Sequence, residues 1–532
     1  MMKEFSTDNK KIARNTMILY IRMLLLMVVS LYTSRIVLDA LGIIDYGLYN
    51  VVGGIVIALG FLSGTLNTAS SRFITVALST RKLEVMQKTF SNILFVNVLL
   101  SFVILIGGET IGLWFLCHKI QIPLDRFNAA FWVYQMSILT VMVNIISSAY
   151  NACIIAHEKM EAFAYISLID ALGKLMIAYS LIHVMNSDRL VMYGGLILFM
   201  QLVNRFVYSI YCSRNFPETK VGFLWDKAYL TKMFKFITWA SYGSFVSIGF
   251  TQGLNILLNI FFGPAVNTAR AISVQVQNAI VLFTTNFQAA INPQLIKNVA
   301  IGDNLSAQKL LLASSKFSFF LLCLLGIPLI IIAPTVLNLW LKEVPEYTVV
   351  FVRLMLVISI WSSIANPLRI VNQAEGNIKK FQIYEGTVLL FIVPVSFCVL
   401  KLEKLPELVF VVHLFVELLA SYIRIKIVLP KIGMRVCDYC KCVYLPLTIV
   451  FVLSVLFGSF LSLFLGDSFF SIVLLISLLS LFLIFLVYEI GLNQNERKKI
   501  VEFIKTKIDR KNDSQAYFIL INTFFYSTLS YI

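Results

Sequence analysis

The chain has 532 residues, of which 59% are apolar and only 14% charged. Soluble domains carry about 25% charged residues, so the composition excludes a water-clothed globular protein. The net charge of +16 does not point to nucleic acid, because Lys and Arg punctuate the apolar runs instead of gathering on one face. With 43 phenylalanines and 22 tyrosines, residues suited to lipid and its boundary, the reading is an all-α polytopic membrane protein.

A bilayer core takes about 20 apolar residues in a helix. Taken in chain order, windows of that length fall at 16–38, 46–69, 89–116, 128–153, 162–185, 190–212 and 236–262. They continue at 268–291, 310–333, 347–368, 381–400, 407–428, 443–464 and 468–490, fourteen spans in all. Lys3, Lys10, Lys11 and Arg14 precede a first run too long for a cleavable signal. With the N-terminus inside, Lys and Arg favour cytoplasmic segments over outer loops by roughly fivefold, which predicts a multi-pass protein with a cytoplasmic N-terminus. The outer loops are short, the longest lying around His118–Phe127. A polymerase or glycosyltransferase working on that face needs a larger one.

Internal repetition is the second signal. A shift of 221 places Gly42 on Gly263, Asn67 on Gln288 and Ala69 on Ala290, and a shift of 218 places Ala156 on Ala374 and Phe163 on Phe381. Trp114 and Trp340 close the third and ninth spans in similar contexts. Six spans per repeat predict two like-oriented lobes, related by a pseudo-twofold axis along the membrane normal, with a cleft between them. The expected organisation is an N-terminal lobe (1–213), a cytoplasmic linker (214–233), a C-terminal lobe (234–430), helices 13 and 14 (431–490) and a cytoplasmic or interfacial tail (491–532). Ile500, Val501, Phe503, Ile504 and Ile508 give that tail an amphipathic helical pattern.

Polar residues inside spans are costly and therefore informative. Ser244, Ser247, Thr251, Asn255 and Asn259 of span 7 fall within an arc of about 120° at 100° per residue. Arg270, Gln277, Thr284, Gln288 and Asn292 of span 8 fall within about 80°. One such stripe reads as a hydrogen-bonding seam between helices. Two on consecutive spans, one headed by arginine, favour the walls of a wet cavity. The repeat carries the second stripe onto Tyr49, Val56, Ser63, Asn67 and Ser71, and Gly60 and Gly64 allow close packing nearby. Arg22 lies about eight residues into span 1, where burial of the charge costs about 2.5–3.5 kcal/mol, and is expected to face the cavity. Arg35 can snorkel outward, and Arg72 marks the inner end of span 2. Guanidinium forks suit phosphate oxygens, so the cleft is expected to take an anion.

Embedded acids are few. Asp170 has ion-pair spacing to Lys174; it, Glu385 and Glu417 are candidates to bind a coupling proton or sodium ion, with pairing to Arg424 as the plainer reading for Glu417. The cysteines read as small hydrophobes, Cys153, Cys323 and Cys398 among them. Cys437, Cys440 and Cys442 cluster without a nearby histidine, so no metal is expected. His183 and His413 read as packing residues. No phosphate-cradling glycine loop, catalytic triad or outer pair of carboxylates occurs, and neither an enzyme nor an organic cofactor is expected.

The run NTMILYIRMLLLMVVSLYTSRIVLDALGIIDYGLYNVVGGIV, the connection IIAHEKMEAFAYI (154–166) and its counterpart QAEGNIKKFQI (373–383) resemble the Wzx-type flippases for lipid-linked oligosaccharide. These belong to the multidrug/oligosaccharidyl-lipid/polysaccharide exporter superfamily. The resemblance spans residues 10–490. It implies alternating access and, as substrate, an undecaprenyl-pyrophosphate-linked repeat unit of O-antigen (lipopolysaccharide), capsule or exopolysaccharide. Other polysaccharide-assembly proteins are implied as partners, beside the lipid bilayer. By similarity to cationic flippase cavities, Arg22 and Arg270 are the leading substrate contacts, joined by Asn255, Gln277, Gln288, Asn67 and Arg72 from the stripes. A peptidoglycan-precursor flippase handles the same carrier and stays open as an alternative. A multidrug cation antiporter fits less well, because span 1 offers arginine and no internal acid.

Overall fold

The computed structural model describes residues 2–498 except 81, 158, 184–186, 220–226, 377–378, 467 and 495. The amphipathic pattern and the apolar end of the tail therefore lie outside the described residues. Among those described the secondary structure is helical throughout, and twelve helices are long and apolar enough to cross a membrane. The first of these, Arg22–Leu59, is two spans, broken at Gly42 where φ is 78°. Helix Pro264–Ala300 is 37 residues long but too polar to count with the twelve. Dividing the first and admitting this one recovers the expected fourteen.

Gly42 and Gly263 have nearly the same backbone geometry, with φ of 78° and 79°. Both sit in the left-handed region where a side chain is strained, and each turns the chain from one span into the next. The sequence shift of 221 that pairs them is thus a repeat of one hairpin.

The chain forms two compact units. The first comprises Met1–Ile272, Trp340–Thr348 and Ile392–Val409. Its core contains Leu66, Phe90, Ile93, Ile145 and Cys153, all at most 1% exposed. Glycine lets the two hairpins meet there: a Cβ on Gly47 would lie 1.9 Å from the Pro264 carbonyl oxygen. Thr268 Oγ1 donates to the Ile43 carbonyl at 2.6 Å, and Gln121 N donates to Asn259 Oδ1 at 2.8 Å. Trp340 Nε1 donates to the Leu31 carbonyl at 3.0 Å, and Lys342 pairs with Asp39 at 2.6 Å. Gly60 packs closely, its Cβ position 2.9 Å from Val141, whereas nothing approaches Gly64 within 4 Å. The expected close packing is therefore confined to Gly60.

A smaller polar knot joins three more segments of this unit. Arg126 holds Asp45 and Asp188, with Nη1 2.6 Å from Asp188 Oδ2. Asp188 also caps helix Arg189–Asn215 through the Leu190 and Val191 amides. Burial would raise the Asp188 carboxyl, but Arg126 and those amides outweigh it and hold it below the ordinary carboxylate range.

The second unit comprises Ser273–Leu339, Val349–Phe391 and the chain from Phe410 onward. Phe319, Phe351 and Phe410 are buried in it, and Tyr439 donates to Ser315 Oγ at 2.8 Å. Lys316, 1% exposed, pairs with Glu496 at 3.2 Å.

Candidate functional site

Parts of both polar stripes form hydrogen-bonding seams in this conformation, while Thr284 Oγ1 and Asn292 Oδ1 are buried without a partner among the described residues. In the first unit Ser244 bonds Thr65 at 2.9 Å, and Asn255, 4% exposed, donates to the Asn50 carbonyl at 3.1 Å. Asn267 Nδ2 donates to both the backbone and side-chain oxygens of Asn255, at 2.7 and 2.9 Å. In the second unit Gln277 donates to Ser359 Oγ at 2.7 Å. Gln288 donates to Ser318 Oγ and the Ser363 carbonyl and accepts from Asn366. Its amide, buried to 2% exposure, is fully engaged, as buried amides must be.

The arginines of the first unit behave differently. Arg270 is 6% exposed; Nη2 donates to the Thr251 carbonyl at 2.7 Å, and Nε has no hydrogen-bond partner. Arg22 is half-buried, with Nε 2.6 Å from Ser167 Oγ and its guanidinium 4.3 Å above the Phe163 ring. Arg205 was not singled out by the sequence patterns. It stacks 4.2 Å over Tyr150, and its Nη1 is buried without a partner. The available signal was the one that marked Arg22, a guanidinium in the interior of an apolar run. None of the three forms an ion pair with a carboxylate among the described residues. Asn67 is half-buried and also leaves Oδ1 without a partner. Arg72 is exposed at the far end of the same helical run, and Arg35 is half-buried.

The embedded acids are all held. Glu385 accepts from Arg369 and Arg424, each at 2.6 Å, and Glu417 takes Arg424 Nη1 at 2.6 Å. Arg424 has no exposed surface, and the carboxylates are 6% and 5% exposed. Asp170 lies in the first unit, 2.8 Å from Lys174 and 2.6 Å from Asn204 Nδ2. The i, i+4 spacing of Asp170 and Lys174 is thus an ion pair. Cys153, expected as apolar filler, has polar company in His157 and Glu218; Glu218 was invisible to the sequence reading because it lies 61 residues from His157.

Membrane-length helices with a repeated glycine hairpin and embedded guanidiniums, among the described residues, define a polytopic all-helical membrane protein. No family model and no curated protein sequence matches the chain. Solved structures do. One is "Lipid II flippase MurJ, inward closed conformation", with TM-score 0.66 and 12% identity, covering 88% of this chain and 98% of that one. Another is an inward-facing multidrug resistance MATE family transporter of the MOP superfamily, with TM-score 0.58 and 12% identity over 74% of this chain and 96% of that one. An outward-facing MATE transporter gives 0.56 and 15% identity, covering 80% and 96%. At such identities the likeness establishes the fold: the chain has the helical architecture of these MATE and MurJ transporters.

Proposed function

We propose that this chain is a flippase, not an enzyme. It carries an undecaprenyl-pyrophosphate-linked oligosaccharide from the cytoplasmic to the outer leaflet of a bacterial inner membrane by alternating access. The observation that carries the reading is the set of embedded arginines in the first unit, Arg22, Arg205 and Arg270, without a carboxylate counter-ion among the described residues. A buried charge without a partner costs several kcal/mol (~3–5 when a pair is broken), and a bound pyrophosphate would remove that cost. Guanidinium forks match phosphate oxygens in bidentate fashion. In this proposal the covered Arg270 becomes accessible when Asn255 exchanges its seam contacts in another conformation. Asn255 and Asn67 then meet the sugars, and Arg72 receives the anion first.

The motifs of the first hairpin and of the 154–166 connection favour the polysaccharide branch over the peptidoglycan precursor. A multidrug cation antiporter is disfavoured, since unpaired guanidiniums repel cations. Where an ion drives the cycle, Asp170 is the better coupling acid, because it faces a lysine and an amide while Glu385 and Glu417 are locked on Arg424.

The test is translocation of a lipid-linked oligosaccharide in vesicles containing the purified protein, read by access of an external probe to the sugar. Arg22→Ala and Arg270→Ala are expected to stop transfer while inserting at the wild-type level. Full transfer by both variants would overturn the reading. Equal transfer of a lipid-linked muropeptide would reassign the substrate.

A further inference from the structure

Apart from the arginines, three potential metal ligands from distant parts of the chain converge at one end of the first unit. Cys153 lies in the last turn of helix Phe127–Ala156, and His157 is the residue that ends that helix. Four residues apart, they project from one face. Glu218 comes from the short turn Pro217–Thr219 that follows helix Arg189–Asn215. The thiol sulfur, the imidazole nitrogen and the carboxylate oxygen all lie within 4.8 Å of one another.

The surroundings are those of a built site. Cys153 has no exposed surface and Glu218 is 2% exposed. The Cys153 thiol donates toward Glu218 Oε1 at 3.9 Å, and His157 Nε2 contacts that same oxygen. Phe216 stacks flat on the imidazole, with centroids 4.0 Å apart and planes at 10°, which fixes the ring orientation. A second buried free thiol, Cys212, donates to the Tyr150 carbonyl at 3.6 Å and stands outside the three-ligand group. It comes from the last turns of the helix that precedes Glu218.

A histidine–glutamate ion pair explains two of these groups. It does not explain the free Cys153 thiol brought to the same carboxylate oxygen. Sulfur, imidazole and carboxylate together are the ligand set of tetrahedral zinc, whereas calcium and magnesium take oxygen alone. We propose that Cys153, His157 and Glu218 bind one Zn²⁺, with the fourth position left to water. Neighbouring ligand atoms around tetrahedral zinc stand about 3.3–3.8 Å apart, given its usual bond lengths. Cys153 and Glu218 are already near that spacing. The His157–Glu218 contact opens as the ion takes the place of the proton between them, and the Cys153 thiol proton leaves to solvent. The bound ion holds the three groups together. It staples the end of helix Phe127–Ala156 to the turn after helix Arg189–Asn215.

The experiment uses the full-length protein in detergent, stripped with a chelator and titrated with ZnCl₂ or CoCl₂. We expect one zinc per chain, a raised Tm, and a thiolate-to-cobalt charge-transfer band with tetrahedral d–d absorption. Cys153→Ser should abolish the band and weaken zinc binding more than tenfold; Glu218→Gln should weaken zinc binding as much while keeping the band at saturating cobalt, and it carries the test if the serine variant fails to fold. A Cys437→Ser, Cys440→Ser, Cys442→Ser triple variant should keep both metal and band. Absence of stoichiometric zinc in the wild type, or binding that survives Cys153→Ser and Glu218→Gln but is lost in the triple variant, would overturn the proposal. None of these readouts depends on transport.

Discussion

The two compact units handle their embedded arginines in opposite ways. In the second, Arg424 sits with no exposed surface between Glu385 and Glu417, and Arg369 shares Glu385. In the first, Arg22, Arg205 and Arg270 have a hydroxyl, an aromatic face and a backbone carbonyl in place of acids. Arg353 of the second unit also lacks an acid, but it lies near the start of its helix and donates to the Ile330 carbonyl at 3.0 Å. A paired buried arginine is structural cement. In the function proposed above an unpaired one awaits an anion, and the arginines of that proposal lie in the first unit.

Neutralising substitutions should therefore have opposite signatures. Arg270→Met is expected to reduce lipid-linked oligosaccharide transfer by roughly a hundredfold or more, of the order lost with a key charged contact, while Tm stays level or rises. Arg424→Met should instead cost about 3–5 kcal/mol, because Glu417 is left buried without a counter-charge. Thermal unfolding in detergent measures it. A fall in Tm for Arg270→Met as large as that for Arg424→Met would erase the distinction between the units.

The hairpin contact tests a different part of the first unit. A Cβ on Gly47 would come within 1.9 Å of the Pro264 oxygen and 2.8 Å of Thr268 Oγ1. Gly47→Ala should cost about 1–3 kcal/mol, the usual range for overpacking, and cysteine cross-linking between the two hairpins would show their separation. Gly53→Ala, at a position with nothing within 4 Å, is the matched control and should leave both unchanged.

The smallest effect is expected at Asp188. Its folded carboxyl sits below the unfolded value, so its contribution is present above about pH 4 and fades as the pH falls through the lower folded value. The group is partly exposed, so Asp188→Asn should remove no more than about 1 kcal/mol. The variant's Tm should also lose part of the wild type's acid dependence. An identical acid profile in the two proteins would show that the knot with Arg126 contributes nothing.

Much of this molecule is legible in the amino-acid order. Apolar runs of bilayer length mark the spans, and the spacing of Gly42 and Gly263 announces a duplicated hairpin before either φ is known. The span-8 helix is also the one whose polarity hides it from a count by hydropathy, and the same stripe of Arg270, Gln277 and Gln288 causes both effects. Where the reading stopped short, long-range partners were responsible. Asn255 looked the same whether it faced water or the Asn50 carbonyl, 205 residues away. Arg205, inside span 6, gave no local sign of the Tyr150 ring beneath it, 55 residues away.

Sequence by itself determined what is local: helix length, the periodicity of polar faces, the glycine turns and the presence of costly charges inside apolar runs. Only the tertiary structure decided which of those charges are neutralised, which stripes are sealed as seams, and that Cys153, His157 and Glu218 share one site. The reason is physical. Helix formation and insertion depend on neighbours within a few turns, whereas the cost of a buried charge or amide depends on whichever group folding brings within about 3 Å of it.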